Sequence, residues 1–179
     1  MAYPPTRTAA QAAACTADEA VTRLFAAHYR SLVRLGALLL HDRDTAEEIV
    51  QEAYVALHAH WSRLRGPEKA LGYLRTTVVN RCRSALRHRQ VVVAHLATVR
   101  AGPDEPSAEA GALALLQHDA IMAALRALPG RQREAVVLRY YAELSEAETA
   151  EVMGVSRGAV KSHTSRGLTA LKGALGALR

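Results

Sequence analysis

Aromatic side chains make up only 4 % of the 179 residues, and β-branched residues rarely cluster. An all-β fold is therefore disfavoured, because strands draw on both kinds of residue. Cysteine occurs twice, at Cys15 and Cys82, with no C-x-x-C pair and no His/Cys metal spacing. Two reduced thiols are expected, and no metal. No apolar run reaches membrane-spanning length, and Met1 to Thr16 lacks the apolar core of a secretory signal. The expectation is a cytoplasmic protein without membrane insertion. Catalysis has no visible foothold either. The histidines are scattered, and the carboxylates lie on solvated helix faces without a pocket pattern. His58 and His60, two apart, face different sides of a helix and make a poor ligand pair. No enzyme and no cofactor are expected.

What the chain does have is helix formers and positive charge. Ala, Leu, Arg and Glu dominate. The net charge of +6 and pI of about 9.7 point to a polyanionic partner. The charge lies in blocks. From Trp61 to Arg100 there are nine basic residues against Glu68 alone, and from Val155 to Arg179 five and no acid. Asp42 to Glu52 holds five acids against Arg43. Blocks of opposite sign imply at least two kinds of surface.

The pattern favours an all-α fold of two small helical domains joined by a flexible linker. Residues 1–16 read as a disordered leader and 17–90 as the first helical unit. Residues 91–112, with Pro, Gly and acids concentrated from Gly102 to Ala112, read as the linker, and 113–179 as the second unit. In the first unit Val21, Leu24, Phe25, His28, Leu32, Leu35 and Leu39 recur at helical steps. Asp44 with Glu47 resembles a capping signal for a second helix. That helix should bury Ala46, Ile49, Val50, Ala53 and Leu57 and leave Glu47, Glu48, Gln51 and Glu52 outside. After a loop at Ser62 to Lys69, a third helix is expected from about Ala70 to His88, with Leu71, Leu74, Val78, Cys82 and Ala85 on one stripe. Almost opposite fall Tyr73, Thr76, Asn80, Arg83, Ser84 and Arg87. Such a face can stack on bases and pair with phosphates, or be an ordinary solvated surface.

The strongest local signal runs from Ser145 to Leu171. Ser145 with Glu148 fits a capping box. Ala150, Met153, Gly154-Val155-Ser156 and Val160 then have helix-turn-helix spacing, with Gly154 permitting the tight turn and Ser156 capping the next helix. On that helix Val160, Gly167 and Leu171 face inward. Gly158, Ser162, Ser165 and Thr169 face outward, flanked by Lys161, Arg166 and Lys172. A narrow polar ridge edged by cations suits a major groove.

Two motifs in order carry a resemblance. The first is Asp44-Thr45-Ala46-Glu47-Glu48-Ile49-Val50-Gln51-Glu52-Ala53-Tyr54, followed by Tyr73-Leu74-Arg75, Asn80 and Leu86-Arg87. The second is Leu128-Pro129-Gly130-Arg131-Gln132-Arg133-Glu134, then Val137 to Tyr141, Leu144 to Ala150 and Val155 to His163. Together they resemble the second and fourth conserved regions of the extracytoplasmic-function sigma factors, over about Asp18 to Leu175. The chain departs from the usual family pattern at Thr149 (usually aliphatic), Ser84 (often Asp) and Tyr73 (often Trp).

The resemblance implies a sigma factor that binds core RNA polymerase and directs promoter-specific initiation. Asp44, Glu47, Glu48, Gln51 and Glu52 would dock on the polymerase clamp. Tyr73, Asn80, Arg83 and Arg87 would handle the melted minus-ten element. Arg157, Gly158, Lys161, Ser162, Ser165 and Arg166 would read the minus-thirty-five element of promoter DNA. An anti-sigma partner is expected as well. The rival reading is a helix-turn-helix regulator that never joins polymerase, but no ligand pocket or phosphoacceptor is visible to support it.

Overall fold

A computed structural model of the chain describes residues 9–64, 66–96 and 112–176. Seven α-helices run through those residues, without a strand among them: α1 Ala9–Leu40, α2 Arg43–His60, α3 Ala70–Leu96, α4 Ala112–Ala127, α5 Gly130–Val136, α6 Glu146–Met153 and α7 Arg157–Gly176. The all-α expectation holds. Helix α1 starts at Ala9, inside the stretch read as a disordered leader, and α3 runs eight residues past His88 to Leu96. Of the stretch 91–112 read as linker, residues 91–96 continue α3 and Ala112 opens α4; the rest of that leader, and the linker reading for residues 97–111, lie outside the described residues.

The cap of α2 is Asp42, not Asp44. Asp42 has extended backbone (φ −149°, ψ 114°), and its carboxylate accepts from Thr45 N at 3.0 Å and from the Thr45 hydroxyl at 2.6 Å. Asp44 already has a helical neighbour on each side and lies in the first turn, where its charge still favours the helix dipole. The Thr45 hydroxyl, together with Arg89, holds the Asp42 carboxyl down at about 2. Upstream, His41 takes a left-handed conformation (φ 58°) and turns the chain from α1 into α2.

Helices α1, α2 and α3 form the first bundle. Leu35, Leu57 and Leu74 are fully buried in it, and each such side chain contributes about 1.5–3 kcal/mol by leaving water. The predicted stripe of α2 is buried as a set, with Tyr54 added. On α3, Leu74, Val78 and Cys82 are buried, while Leu71 and Ala85 are only half-buried. Burial also pushes the Cys82 thiol up to about 12, so it is protonated and unreactive. Phe25, expected in the stripe of α1, is 44 % exposed and stacks on Tyr29 instead.

In the second half, α5 widens into a π-helical stretch at Val137–Tyr141 before the chain reaches α6. The capping box at Ser145 is complete: Glu148 N donates to Ser145 Oγ at 3.2 Å, and Ser145 N donates to Glu148 Oε2 at 2.8 Å. Gly154 ends α6 in the left-handed region (φ 66°), as the turn requires. The close helix crossing falls at Gly167. A Cβ there would stand 2.7 Å from Val136 Cγ2 and 3.2 Å from the Gln132 carbonyl, so only glycine lets α7 lie against α5.

Thr149 is fully buried in α6, and its hydroxyl finds no hydrogen-bond partner among the described residues. A buried unsatisfied polar group costs about 1–3 kcal/mol, whereas an apolar isostere has no such cost. Thr149→Val is therefore expected to stabilise the chain by about 1 kcal/mol. Urea denaturation monitored by circular dichroism checks it, and an unchanged or lower midpoint contradicts it.

Candidate nucleic-acid and polymerase interfaces

Three surfaces carry the residues singled out from the sequence. On α2 the acidic face is real but partly self-paired. Arg43 Nε donates to Glu47 Oε1 at 2.9 Å, and Arg81 donates to Glu52. Asp44, Glu48 and Gln51 are exposed, and Glu47 is half-buried. The structure adds an apolar centre that periodicity did not single out. Val55 is 70 % exposed and lies with Ala56 and Ala59 in a shallow depression rimmed by Glu48, Gln51, Glu52 and Arg81. An exposed valine one turn from Gln51 and Glu52 was the available signal.

The second surface is the polar side of α3. Tyr73 is half-buried and stacks on His60, ring centroids 5.2 Å apart and planes 8° from parallel. His60, dismissed above as a metal ligand, thus backs a flat aromatic platform. Arg83 is less free than its periodicity implies. Its Nη1 donates to Asn80 Oδ1 at 3.0 Å, and its Nε and Nη2 reach Glu134 on α5. Arg87 stays exposed and donates to Ser84 Oγ at 3.2 Å.

The third surface is the helix-turn-helix of α6 and α7. Ala159 N donates to Ser156 Oγ at 3.2 Å, which caps α7 as expected. Val160 and Gly167 are buried, and Leu171 is half-buried. Arg157, Gly158, Lys161, Ser165 and Arg166 are exposed. Ser162 is half-buried and accepts from Arg166, so that guanidinium is held beside the ridge.

The two halves also meet. Besides the Arg83–Glu134 pair, Arg133 Nη1 donates to His41 Nε2 at 2.6 Å and Tyr141 OH donates to the Ser31 carbonyl at 3.3 Å. Burial, with Arg133 and Arg126 facing it, holds the His41 imidazole down at about 4 and therefore neutral at pH 7. That neutral ring can accept from Arg133. Among the described residues no helix is long and apolar enough to cross a membrane.

A capped helix-turn-helix with an exposed cationic ridge, joined to a helical bundle with an acidic face and a basic aromatic one, defines a DNA-binding transcription protein. Family comparison makes this specific. The model described as Sigma-70 region 2 matches residues 24–91, and that described as Sigma-70, region 4 matches residues 118–171. The chain is 32 % identical over 160 residues to the ECF RNA polymerase sigma factor SigM of Mycobacterium tuberculosis, covering 89 % of this chain and 79 % of that protein. It is 29 % identical over 142 residues to the RNA polymerase sigma-E factor of Streptomyces coelicolor, covering 79 % of this chain and 78 % of that one. The sigma factor RpoE of Bartonella quintana, solved with the anti-sigma factor NepR, shares the fold with a TM-score of 0.73 at 24 % identity, covering 88 % of this chain and 98 % of that chain.

The chain belongs to the sigma-70 family, in its extracytoplasmic-function group. It binds core RNA polymerase and directs promoter-specific transcription initiation. The rival reading as a regulator outside polymerase is not favoured. Sigma factors as a family are not enzymes.

Proposed function

We propose a division of labour among named residues. Residues 17–90 form the unit that meets core polymerase and the melted minus-ten element, and residues 113–179 the unit that reads the minus-thirty-five element, with 91–112 as the linker between them. Asp44, Glu47, Glu48, Gln51 and Glu52 face a basic polymerase surface, and Val55 seats the contact. Tyr73, Asn80, Arg83 and Arg87 receive the melted strand. Arg157, Gly158, Lys161, Ser162, Ser165 and Arg166 enter the major groove. The chain works in the cytoplasm without catalysing a step of its own, leaving RNA synthesis to polymerase. An anti-sigma protein holds it inactive, a reading supported by the fold shared with a sigma factor solved in such a complex.

The observation that carries the reading is the union of a completed helix-turn-helix with a separate bundle bearing an acidic face. Pull-down with core polymerase, followed by run-off transcription from a selected promoter, tests it. Retention of core enzyme and a discrete transcript are expected, and a chain that binds duplex DNA but never core enzyme overturns it.

Tyr73 gives a finer test. Stacking of an exposed base on an aromatic ring is worth about 1–3 kcal/mol. With His60 holding the ring flat, Tyr73→Ala is expected to reduce open-complex formation about tenfold or more while leaving initial duplex binding intact. Permanganate reactivity of the minus-ten thymines reports the difference. Normal melting in the variant removes Tyr73 from the strand-binding surface.

A further inference from the structure

Helix α5 holds the helix-turn-helix at two points. One is apolar: at Gly167 the backbone of α7 lies so close to Gln132 and Val136 that a Cβ has no room. The other is polar. Arg131 Nη1 donates to the Met153 carbonyl at 3.2 Å and to Glu134 Oε2 at 3.2 Å. Met153 is the last residue of α6, and Gly154 follows it in the left-handed conformation that begins the turn. Gly154 N and Val155 N fold back onto the carbonyls of Ala150 and Glu151, and the Met153 carbonyl is left for Arg131. Helix α6 has no cation of its own in its last turn, where the helix dipole favours one, and Arg131 supplies it from the neighbouring helix. Glu134, with 8 % of its side chain exposed, anchors that guanidinium on α5.

We propose that Arg131 is a positioning residue for promoter reading: it ties the turn of the helix-turn-helix to α5 and so fixes the angle at which α7 enters the major groove. The proposal rests on the reading of α7 as the helix that meets the minus-thirty-five element. Gly167 gives α7 a point of contact with α5, but one apolar contact leaves a helix free to pivot about it. The bond from Arg131 to the end of α6 removes that freedom on the turn side. The lever is long enough to matter. Arg166 lies ten residues beyond Ser156, so at about 1.5 Å per residue a tilt of about 5° at the turn moves it by about 1.3 Å. A shift of that size breaks a hydrogen bond to a base edge, whose distance and angle are narrowly set. Phosphate contacts, made by long cationic side chains, follow the movement. Arg131 therefore acts on discrimination between sequences and leaves general attraction to DNA untouched.

The test uses the full chain bound to core polymerase, on a selected promoter fragment with its minus-thirty-five element either intact or replaced. Affinities for both fragments are measured across a salt series, and their ratio is the readout. Arg131→Ala is expected to lower the ratio about tenfold, the equivalent of one good base contact, with the salt slope on the replaced fragment unchanged. Arg131→Lys is expected to restore most of the ratio, because the Met153 carbonyl takes a single donor. A general loosening of the fold lowers competent complex on both fragments alike and leaves the ratio as it was, which overturns the proposal. So does an equal loss on both fragments with a salt slope shallower by about 0.9, the mark of a direct phosphate contact. The variant Lys161→Ala, Arg166→Ala separates the two readings. If it loses the ratio and Arg131→Ala keeps it, Arg131 positions nothing and α7 still reads the element. If both keep it, the fault lies with α7 as the reading helix.

Discussion

The double variant Glu47→Lys, Glu48→Lys is expected to remain helical and to lose core-polymerase binding, and with it promoter-dependent transcription. Glu48 is exposed, and the other side of α2 supplies the buried set Ala46, Ile49, Val50, Ala53 and Leu57, so the core is untouched. The local cost is the Arg43–Glu47 pair, replaced by two like charges one turn apart; such helix-surface pairs are worth about 0.3–0.5 kcal/mol. Against a basic docking surface the same change turns attraction into repulsion, and like-charge juxtaposition costs several kcal/mol, or about a hundredfold and more in affinity. Gel filtration with core enzyme measures it, with circular dichroism as the fold control. Duplex binding through α7 should survive, since none of its exposed cations is altered. A folded double variant that transcribes normally refutes the docking face.

Comparable in size is the effect expected at the other end of the molecule. Lys161→Ala with Arg166→Ala should weaken binding to a duplex carrying the minus-thirty-five element by about tenfold or more. Both side chains are exposed at the edge of the ridge, and Arg166 is steadied by Ser162. The salt dependence separates two kinds of contact. Each phosphate contact removed should lower the slope of log affinity against log salt by about 0.9 and weaken all promoters alike. A base contact should cost about 1–3 kcal/mol at one position and relax specificity there. Anisotropy titrations across a salt series, on matched and mismatched duplexes, give both numbers. Unchanged affinity in the double variant would remove α7 as the DNA-reading helix.

Much of this was legible along the chain, because helical periodicity relates residues three and four apart. The buried stripe of α2, the capping box at Ser145, the left-handed turn at Gly154 and the inward Val160 and Gly167 all follow from such short spacings. The misplaced cap of α2 shows the limit of local reading. Asp42 and Asp44 both stand before an apolar run, and the extended backbone at Asp42, fixed by the turn through His41, selects the first. The apolar centre at Val55 was legible in part: at about 100° per residue it falls opposite Ala46, an apolar side chain on the acidic face, but the depression around it is completed by Arg81 of α3, which only the packing of α2 on α3 brings there.

Composition, charge blocks and spacing thus determined the fold class, the helix-turn-helix and the family, each being the sum of local preferences repeated over many residues. Tertiary structure alone decided which cations are free. Arg83 and Glu134 are separated by 51 residues, and His41 and Arg133 by 92. No local spacing links such pairs, and neither partner is an unusual residue for its own helix. The guanidinium that periodicity turns outward on α3 finds a carboxylate only when the two bundles come together. Desolvation at that junction makes leaving either charge unpaired costly, so a side chain read as solvent-facing becomes part of an interface.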